Sequence, residues 1–181
     1  VPAPRFRAYI AASLDGFIAD PRGGVGWLDP FNQQEYGYDA FLAGIGLIIT
    51  GRATFDDCLR LGDWPYGEIP VLVLTHRPLP DGLPPTVQAV QGSIDTLLPS
   101  IETRSVPGDV WILGGGRVLG EFFRAGRVDS LELFVMPVLL GEGIPLFPVT
   151  GGTLPELTLH AATPYENGVV QLHYQVKRRG N

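Results

Sequence analysis

The chain has 181 residues, 45% of them hydrophobic and 18% charged, which suits a single packed domain over residues 1–181. Its formal net charge of −6 gives no general attraction for nucleic acid or for an anionic membrane, so any anion site must be local. No apolar run reaches the ~18 residues of a membrane span and no signal peptide is visible. The single thiol, Cys58, excludes an intrachain disulfide and fits a reducing, cytoplasmic compartment. The histidines, at 76, 160 and 173, are scattered, so no metal site is expected.

In chain order, Arg7–Ser13 reads as an apolar strand ending in the turn Leu14-Asp15-Gly16. Ala11, Ala12 and Gly16 are small and leave room for something flat at the strand end. Residues 20–30 hold Pro21, Gly23, Gly24, Gly26 and Pro30 around Trp27, and predict a loop whose Trp either covers a pocket or anchors the loop to the core. Asn32 is the expected N-cap of a helix running to about Gly44, with Glu35 at its third position as in a capping box. Glu35 and Asp39 would then share a face, available to supply protons or simply solvated.

Leu47–Thr50 is a buried-type strand, and Gly51-Arg52-Ala53-Thr54-Phe55 opens another helix. Val71–Thr75 is the next strand and runs into His76-Arg77-Pro78. Thr86–Gln91 is a further strand, after which Ser93 caps a short helix that Pro99 should interrupt or kink. Asp109–Leu113 then leads through Gly114-Gly115-Gly116 into a helix with Leu119, Phe122 and Phe123 on one side. A glycine turn between a strand and a helix N-terminus suits a phosphate, although a glycine-rich connector without ligand has the same composition. The dinucleotide fingerprint Gly-x-Gly-x-x-Gly is not met, since Leu119 stands where the third glycine belongs.

Leu131–Met136 is a strand, and the apolar segment Pro137–Phe147 is expected in a pocket wall or a subunit contact. Leu157–Ala162 and Val169–Val176 flank Asn167-Gly168 and predict a terminal antiparallel pair. About eight strands and four helices therefore predict an α/β fold: a mostly parallel sheet, helices on both faces, an antiparallel edge. Basic residues follow three strand ends, at Arg52, His76-Arg77 and Arg117, where open α/β sheets bind ligands. An anionic cofactor is the expected ligand.

Several motifs carry a family resemblance. Leu113-Gly114-Gly115-Gly116-Arg117-Val118 and Thr50-Gly51-Arg52-x-Thr54-Phe55 resemble the two cofactor motifs of dihydrofolate reductases. Ser13-Leu14-Asp15-Gly16 and Pro137-x-Leu139-Leu140-Gly141-x-Gly143-x-Pro145-Leu146-Phe147 resemble the reductase domain of bifunctional riboflavin-biosynthesis enzymes. Trp27-Leu28-Asp29 and Tyr36-Gly37-Tyr38 resemble small stand-alone relatives of that domain.

The resemblance implies a three-layer dihydrofolate reductase-like fold, NADPH as hydride donor, and a homodimer. Carried over by motif, Gly51, Arg52, Ala53 and Thr54 would meet the pyrophosphate, together with Leu113, Gly114, Gly115, Gly116, Arg117, Val118 and Leu119. Thr75, His76 and Arg77 would hold the 2′-phosphate, while Ala11, Ala12, Ile18 and Ala19 would wall the nicotinamide. Phe17, Trp27 and Tyr38 would face the substrate, and Asp39, Glu35 or Asp15 would relay a proton. Two departures concern the substrate: Phe17 and Leu113 stand where riboflavin-pathway members commonly carry Lys and Glu. The expected activity is hydride transfer to a small pteridine- or pyrimidine-like heterocycle. The alternatives are the riboflavin-pathway 5-amino-6-(5-phosphoribosylamino)uracil reductase, and a catalytically silent NADP(H)-binding sensor or interaction module.

Overall fold

The computed structural model describes residues 3–104, 106–148 and 155–177. Its strands are β1 (Phe6–Ser13), β2 (Phe17–Ala19), β3 (Ile45–Gly51), β4 (Val71–Leu74), β5 (Val87–Val90), β6 (Asp109–Gly114), β7 (Ser130–Met136), β8 (Ile144–Pro145), β9 (Leu157–Pro164) and β10 (Val170–Val176). The helices are α1 (Tyr38–Ala43), α2 (Arg52–Arg60), α3 (Ile94–Glu102) and α4 (Gly116–Arg124), with a 3-10 helix at Gly26–Phe31. Eight strands form one sheet in the order β5-β4-β3-β6-β1-β7-β10-β9. From β5 to β7 every pairing is parallel; β10 runs antiparallel to both β7 and β9. The short β2 and β8 pair separately, in segments that read as turn and loop because each holds only two or three residues.

Alternation along the strands builds a core on each face. Val110 and Ile112 of β6, Leu47 and Ile49 of β3, and Phe6 and Ala8 of β1 meet Ile94, Leu98 and Ile101 of α3 and Leu119 and Phe122 of α4. On the opposite face Trp111, Ile48, Val71 and Val73 meet Phe41 of α1 and Phe55 of α2. This is the three-layer arrangement the sequence predicts. β6 inserts between β1 and β3, so the glycine turn after β6 lies beside the strand ends of both.

Two helices differ from expectation. Asn32 is no N-cap: it closes the C-terminal end of the 3-10 helix, and α1 starts only after Gly37, whose φ of +78° breaks the helical run. The Glu35 carboxylate accepts hydrogen bonds from the backbone N–H groups of Gly37 and Tyr38. Glu35 and Asp39 therefore share no helix face. Pro99, by contrast, does not end α3, because Ile94, Leu98 and Ile101 bury one face across it. Each such buried side chain contributes about 1.5–3 kcal/mol, comparable with the cost of an interior proline.

The Pro137–Phe147 segment divides. Leu146 is buried, whereas Leu139 and Phe147 are exposed. No helix among the described residues is long and apolar enough to cross a membrane.

Candidate functional site

β3 hands over to α2 at Gly51 and β6 to α4 at Gly115, and neither cap residue supplies a side-chain hydrogen bond. The other two α-helices differ. Ser93 accepts from Thr96 N at 3.4 Å at the start of α3, and Glu35 occupies the start of α1. α2 and α4 thus present first-turn N–H groups without side-chain partners, and both open onto one cavity of about 690 Å³. Gly51, Arg52, Ala53 and Thr54 line one part of its wall and Gly115, Gly116, Arg117 and Val118 another. Two helix N-termini at one cavity favour an anion, and a diphosphate suits both. Buried Thr50 ties the two turns together, its Oγ1 lying 3.3 Å from the carbonyl oxygens of both Gly51 and Gly114.

The glycines in the β6–α4 turn have different causes. Gly114 sits at φ +124°, where a side chain would be strained, and its peptide bond to Gly115 is cis. Gly116 is required by close approach: a Cβ there would lie 2.5 Å from the Pro145 carbonyl oxygen and 2.6 Å from that of Leu146. Gly115 has ordinary backbone angles, and its Cβ would come 3.2 Å from Thr54 Oγ1 and 3.6 Å from Ile18 Cδ1, between two cavity-lining residues.

Toward β4 and β5 the wall is Leu74, Thr75, His76, Val90, Gln91 and Gly92. The Thr75 hydroxyl accepts from Arg77 N at 3.1 Å, so it shapes the turn that carries His76. Arg52 bonds Asp56 at 2.7 Å and the Pro78 carbonyl at 2.9 Å, which fixes its guanidinium against the β4 turn. Toward β1 the wall is Tyr9, Ile10, Ala11, Ile18, Ala19 and Leu28, an apolar surface suited to a flat ring. Leu113 also lines the cavity.

Four residues expected around the cofactor lie outside that wall. Ala12 and Leu119 are buried in the core between the sheet and α4, Ala12 because strand alternation turns it away from Ala11. Gly114 instead offers its carbonyl to Thr50. Arg77 points outward, 67% exposed, with its guanidinium 3.4 Å from Asp56.

The residues expected at the substrate are not brought together. Trp27 packs with Phe134, Met136 and Val169, anchoring the loop, while its neighbours Val25 and Leu28 reach the cavity. Tyr38 packs against Trp111 and Tyr9, and Tyr9 rather than Tyr38 lines the wall. Phe17 belongs to β2, opposite Pro145 of β8. Asp15 accepts from Ser13 Oγ at 2.6 Å, Leu140 N at 3.2 Å and Gly141 N at 2.7 Å. The Ser13 bond, with the backbone donors, holds its carboxyl below the usual carboxylate range. Its hydrogen bonds brace the loop that carries it. Glu35 and Asp39 are exposed and outside the cavity wall.

Sequence reasoning missed Asp57 and Cys58 of α2 and Leu61 at its C-cap, all of which line the cavity. With Thr54 they stand at i, i+3, i+4 and i+7, a helix-face spacing that was readable once Thr54 was placed at the turn. Burial pushes the Cys58 thiol up, so it stays protonated beside Tyr66 Oη, 3.4 Å away. Gly92, after β5, stands at a fourth strand end, open to the same rule as the other three.

Comparison with known proteins agrees with this fold. Residues 4–171 match the RibD C-terminal domain family. The protein YwjB of Bacillus subtilis is 31% identical over 169 residues, covering 92% of this chain and 94% of its own. The crystal structure of a candidate riboflavin biosynthesis protein from Shewanella sp. PV-4 superposes with a TM-score of 0.86 at 28% identity, covering 96% of this chain and 99% of that one. Dihydrofolate reductase from Enterococcus faecalis, solved with NADP(H), gives a TM-score of 0.66 at 22% identity over 95% of this chain and 96% of its own, a likeness of fold.

Proposed function

Because this chain belongs to the RibD C-terminal domain family, we propose that it is a reductase that uses NADPH to reduce a small heterocyclic acceptor of the pteridine or pyrimidine type. The observation that carries this reading is the pair of helix N-termini without side-chain caps, α2 and α4, opening onto one cavity at the strand ends. NADPH supplies a hydride to an electrophilic carbon. The chain's part is to hold, orient and exclude water. Backbone N–H groups at Arg52–Thr54 and Gly116–Val118 would take the diphosphate. Thr75 and His76, with Arg77 swinging in from Asp56, would take the 2′-phosphate. Ala11, Ile18 and Ala19 would bed the nicotinamide.

One observation favours a second reading, a silent NADP(H)-binding module: Asp15, Glu35 and Asp39 all lie outside the cavity wall. Two measurements separate the readings. Tryptophan-fluorescence titration reports NADPH binding, and loss of NADPH absorbance across a panel of pteridines and pyrimidines reports turnover. Binding with turnover supports the reductase. Binding without turnover favours the silent module, and no binding of NADPH removes both.

The riboflavin-pathway phosphoribosylaminouracil is the less favoured acceptor. Leu113 lines the cavity as an apolar side chain and Phe17 lies outside its wall, so neither offers that polar substrate a side-chain hydrogen bond.

A further inference from the structure

We propose that Asp56, standing behind the cavity wall, limits how strongly the site prefers the phosphorylated dinucleotide. One of its carboxylate oxygens fixes Arg52, and the other holds Arg77 back from the 2′-phosphate. This inference rests on the reductase reading and concerns how the same cavity selects its cofactor.

Asp56 lies on α2, four residues after Arg52, and does not itself line the cavity. Its Oδ1 accepts from Arg52 Nε at 2.7 Å, and its Oδ2 faces Arg77 Nη2 at 3.4 Å. The two arginines are held unequally. Arg52, a wall residue only 19% exposed, also donates from Nη1 to the Pro78 carbonyl at 2.9 Å and to that of Arg77 at 3.5 Å. The Arg77 guanidinium has only the longer Asp56 contact among the described residues, and it is exposed. Its backbone is tied down, since Arg77 N donates to Thr75 Oγ1 at 3.1 Å, so a transfer of the guanidinium needs only side-chain rotation. The matching pair on α4 is different: Glu121 faces Arg117 and Arg124 of its own helix and joins no second element. Asp56 alone of the two links a helix N-terminus to the β4 turn.

Two guanidinium groups on one carboxylate leave one positive charge in excess, beside the Thr75 and His76 that line the cavity. A 2′-phosphate carries nearly two negative charges near neutral pH and competes with Asp56 for Arg77. An exposed ion pair is weak enough for a ligand to break, yet breaking it subtracts from affinity. NADH lacks that phosphate and leaves the Asp56–Arg77 pair as it stands. The cost therefore falls on the phosphorylated dinucleotide. The bond to Arg52 is separable from this hold, because an amide at position 56 keeps an acceptor for Arg52 Nε and loses the charge that retains Arg77.

Fluorescence titrations of NADPH and NADH at low salt test this in wild type, Asp56→Asn, Asp56→Ala, Arg77→Ala and the Asp56→Asn/Arg77→Ala double variant. Asp56→Asn should tighten NADPH by at least about threefold and leave NADH within about twofold. With Arg77→Ala already present, the same change should move NADPH by less than about twofold, leaving only screened repulsion between Asp56 and the phosphate. Asp56→Ala also takes away the oxygen that fixes Arg52, and should gain less than Asp56→Asn. A merely structural role would shift both cofactors together and act alike with or without Arg77. Unchanged or weaker NADPH binding in Asp56→Asn, an equal shift for NADH, or the full gain in the Arg77→Ala background overturns the proposal. No binding of NADPH to the wild type would sink the reductase reading and this proposal together, whereas binding with an unmoved NADPH-to-NADH ratio in Asp56→Asn removes this proposal alone.

Discussion

Gly115 and Gly116 are neighbours with opposite tolerances. Gly115→Ala adds a methyl 3.2 Å from Thr54 Oγ1, a contact that a small hydroxyl shift relieves, so the variant should fold. That methyl lies where the diphosphate is proposed to sit, and NADPH affinity should fall by more than about tenfold, equivalent to 1.4 kcal/mol. Gly116→Ala drives a Cβ onto two backbone carbonyls and should lower thermal stability by several degrees or prevent folding. Normal NADPH affinity in folded Gly115→Ala would contradict the cradle. The sequence shows three equivalent glycines here, because the carbonyls that single out Gly116 come from Pro145 and Leu146, far along the chain. Arg77 also acts at this scale. Its guanidinium is exposed and already paired with Asp56, so moving it onto a 2′-phosphate gains less than a buried pair would. Arg77→Ala should weaken NADPH by only about three- to tenfold and leave NADH nearly unchanged. Equal losses for both cofactors, measured by fluorescence titration, would remove Arg77 from cofactor selection.

The Pro137–Phe147 segment is the element whose reading changes most. Leu14 N bonds Val138 O at 2.8 Å, Leu146 N bonds Gly16 O at 2.9 Å, and β2 pairs with β8. The Asp15 carboxylate closes the arrangement on Leu140 and Gly141. Asp15→Ala should therefore speed amide exchange at Leu140 and Gly141 by about tenfold or more while leaving the central strands protected. Asp15→Asn should keep any pH profile of turnover unchanged in shape; loss of a profile limb would restore Asp15 as a proton carrier. The Ser-Leu-Asp-Gly motif was legible as a turn, but the partner of its carboxylate was not, since 125 residues separate Asp15 from Leu140. Long strands and helices with alternating or 3.6-residue patterns were legible throughout. α1 was not, because Glu35, expected to reach back to the Asn32 N–H, instead accepts from the N–H groups of Gly37 and Tyr38 ahead of it.

At the scale of the molecule, the parallel sheet and its antiparallel edge could be read from the sequence, while strand order could not, because nothing local states that β6 lies between β1 and β3. That order creates a polar chain across four adjacent strands. Asp109 of β6 takes Arg5 at 2.8 Å and Arg7 of β1 at 3.3 Å; Arg7 reaches Glu132 of β7 at 2.6 Å, which accepts from Gln171 of β10 at 3.1 Å. Burial alone would raise the Asp109 carboxyl, but the Arg5 hydrogen bond and the charges of Arg5 and Arg7 outweigh it and hold the group below its ordinary 3.8. A carboxyl depressed in the folded state contributes stability above its unfolded value and loses that contribution as pH falls through the folded one. Asp109→Asn should thus cost about 1–3 kcal/mol at neutral pH, with Arg7 left to Glu132 alone. The difference between wild type and variant should shrink as pH falls below about 4, where the unfolded chain's carboxyl takes up its proton first and the folded one follows at lower pH. Urea unfolding across that range measures both quantities, and parallel stability curves for the two proteins would show that Asp109 does not couple the sheet to pH.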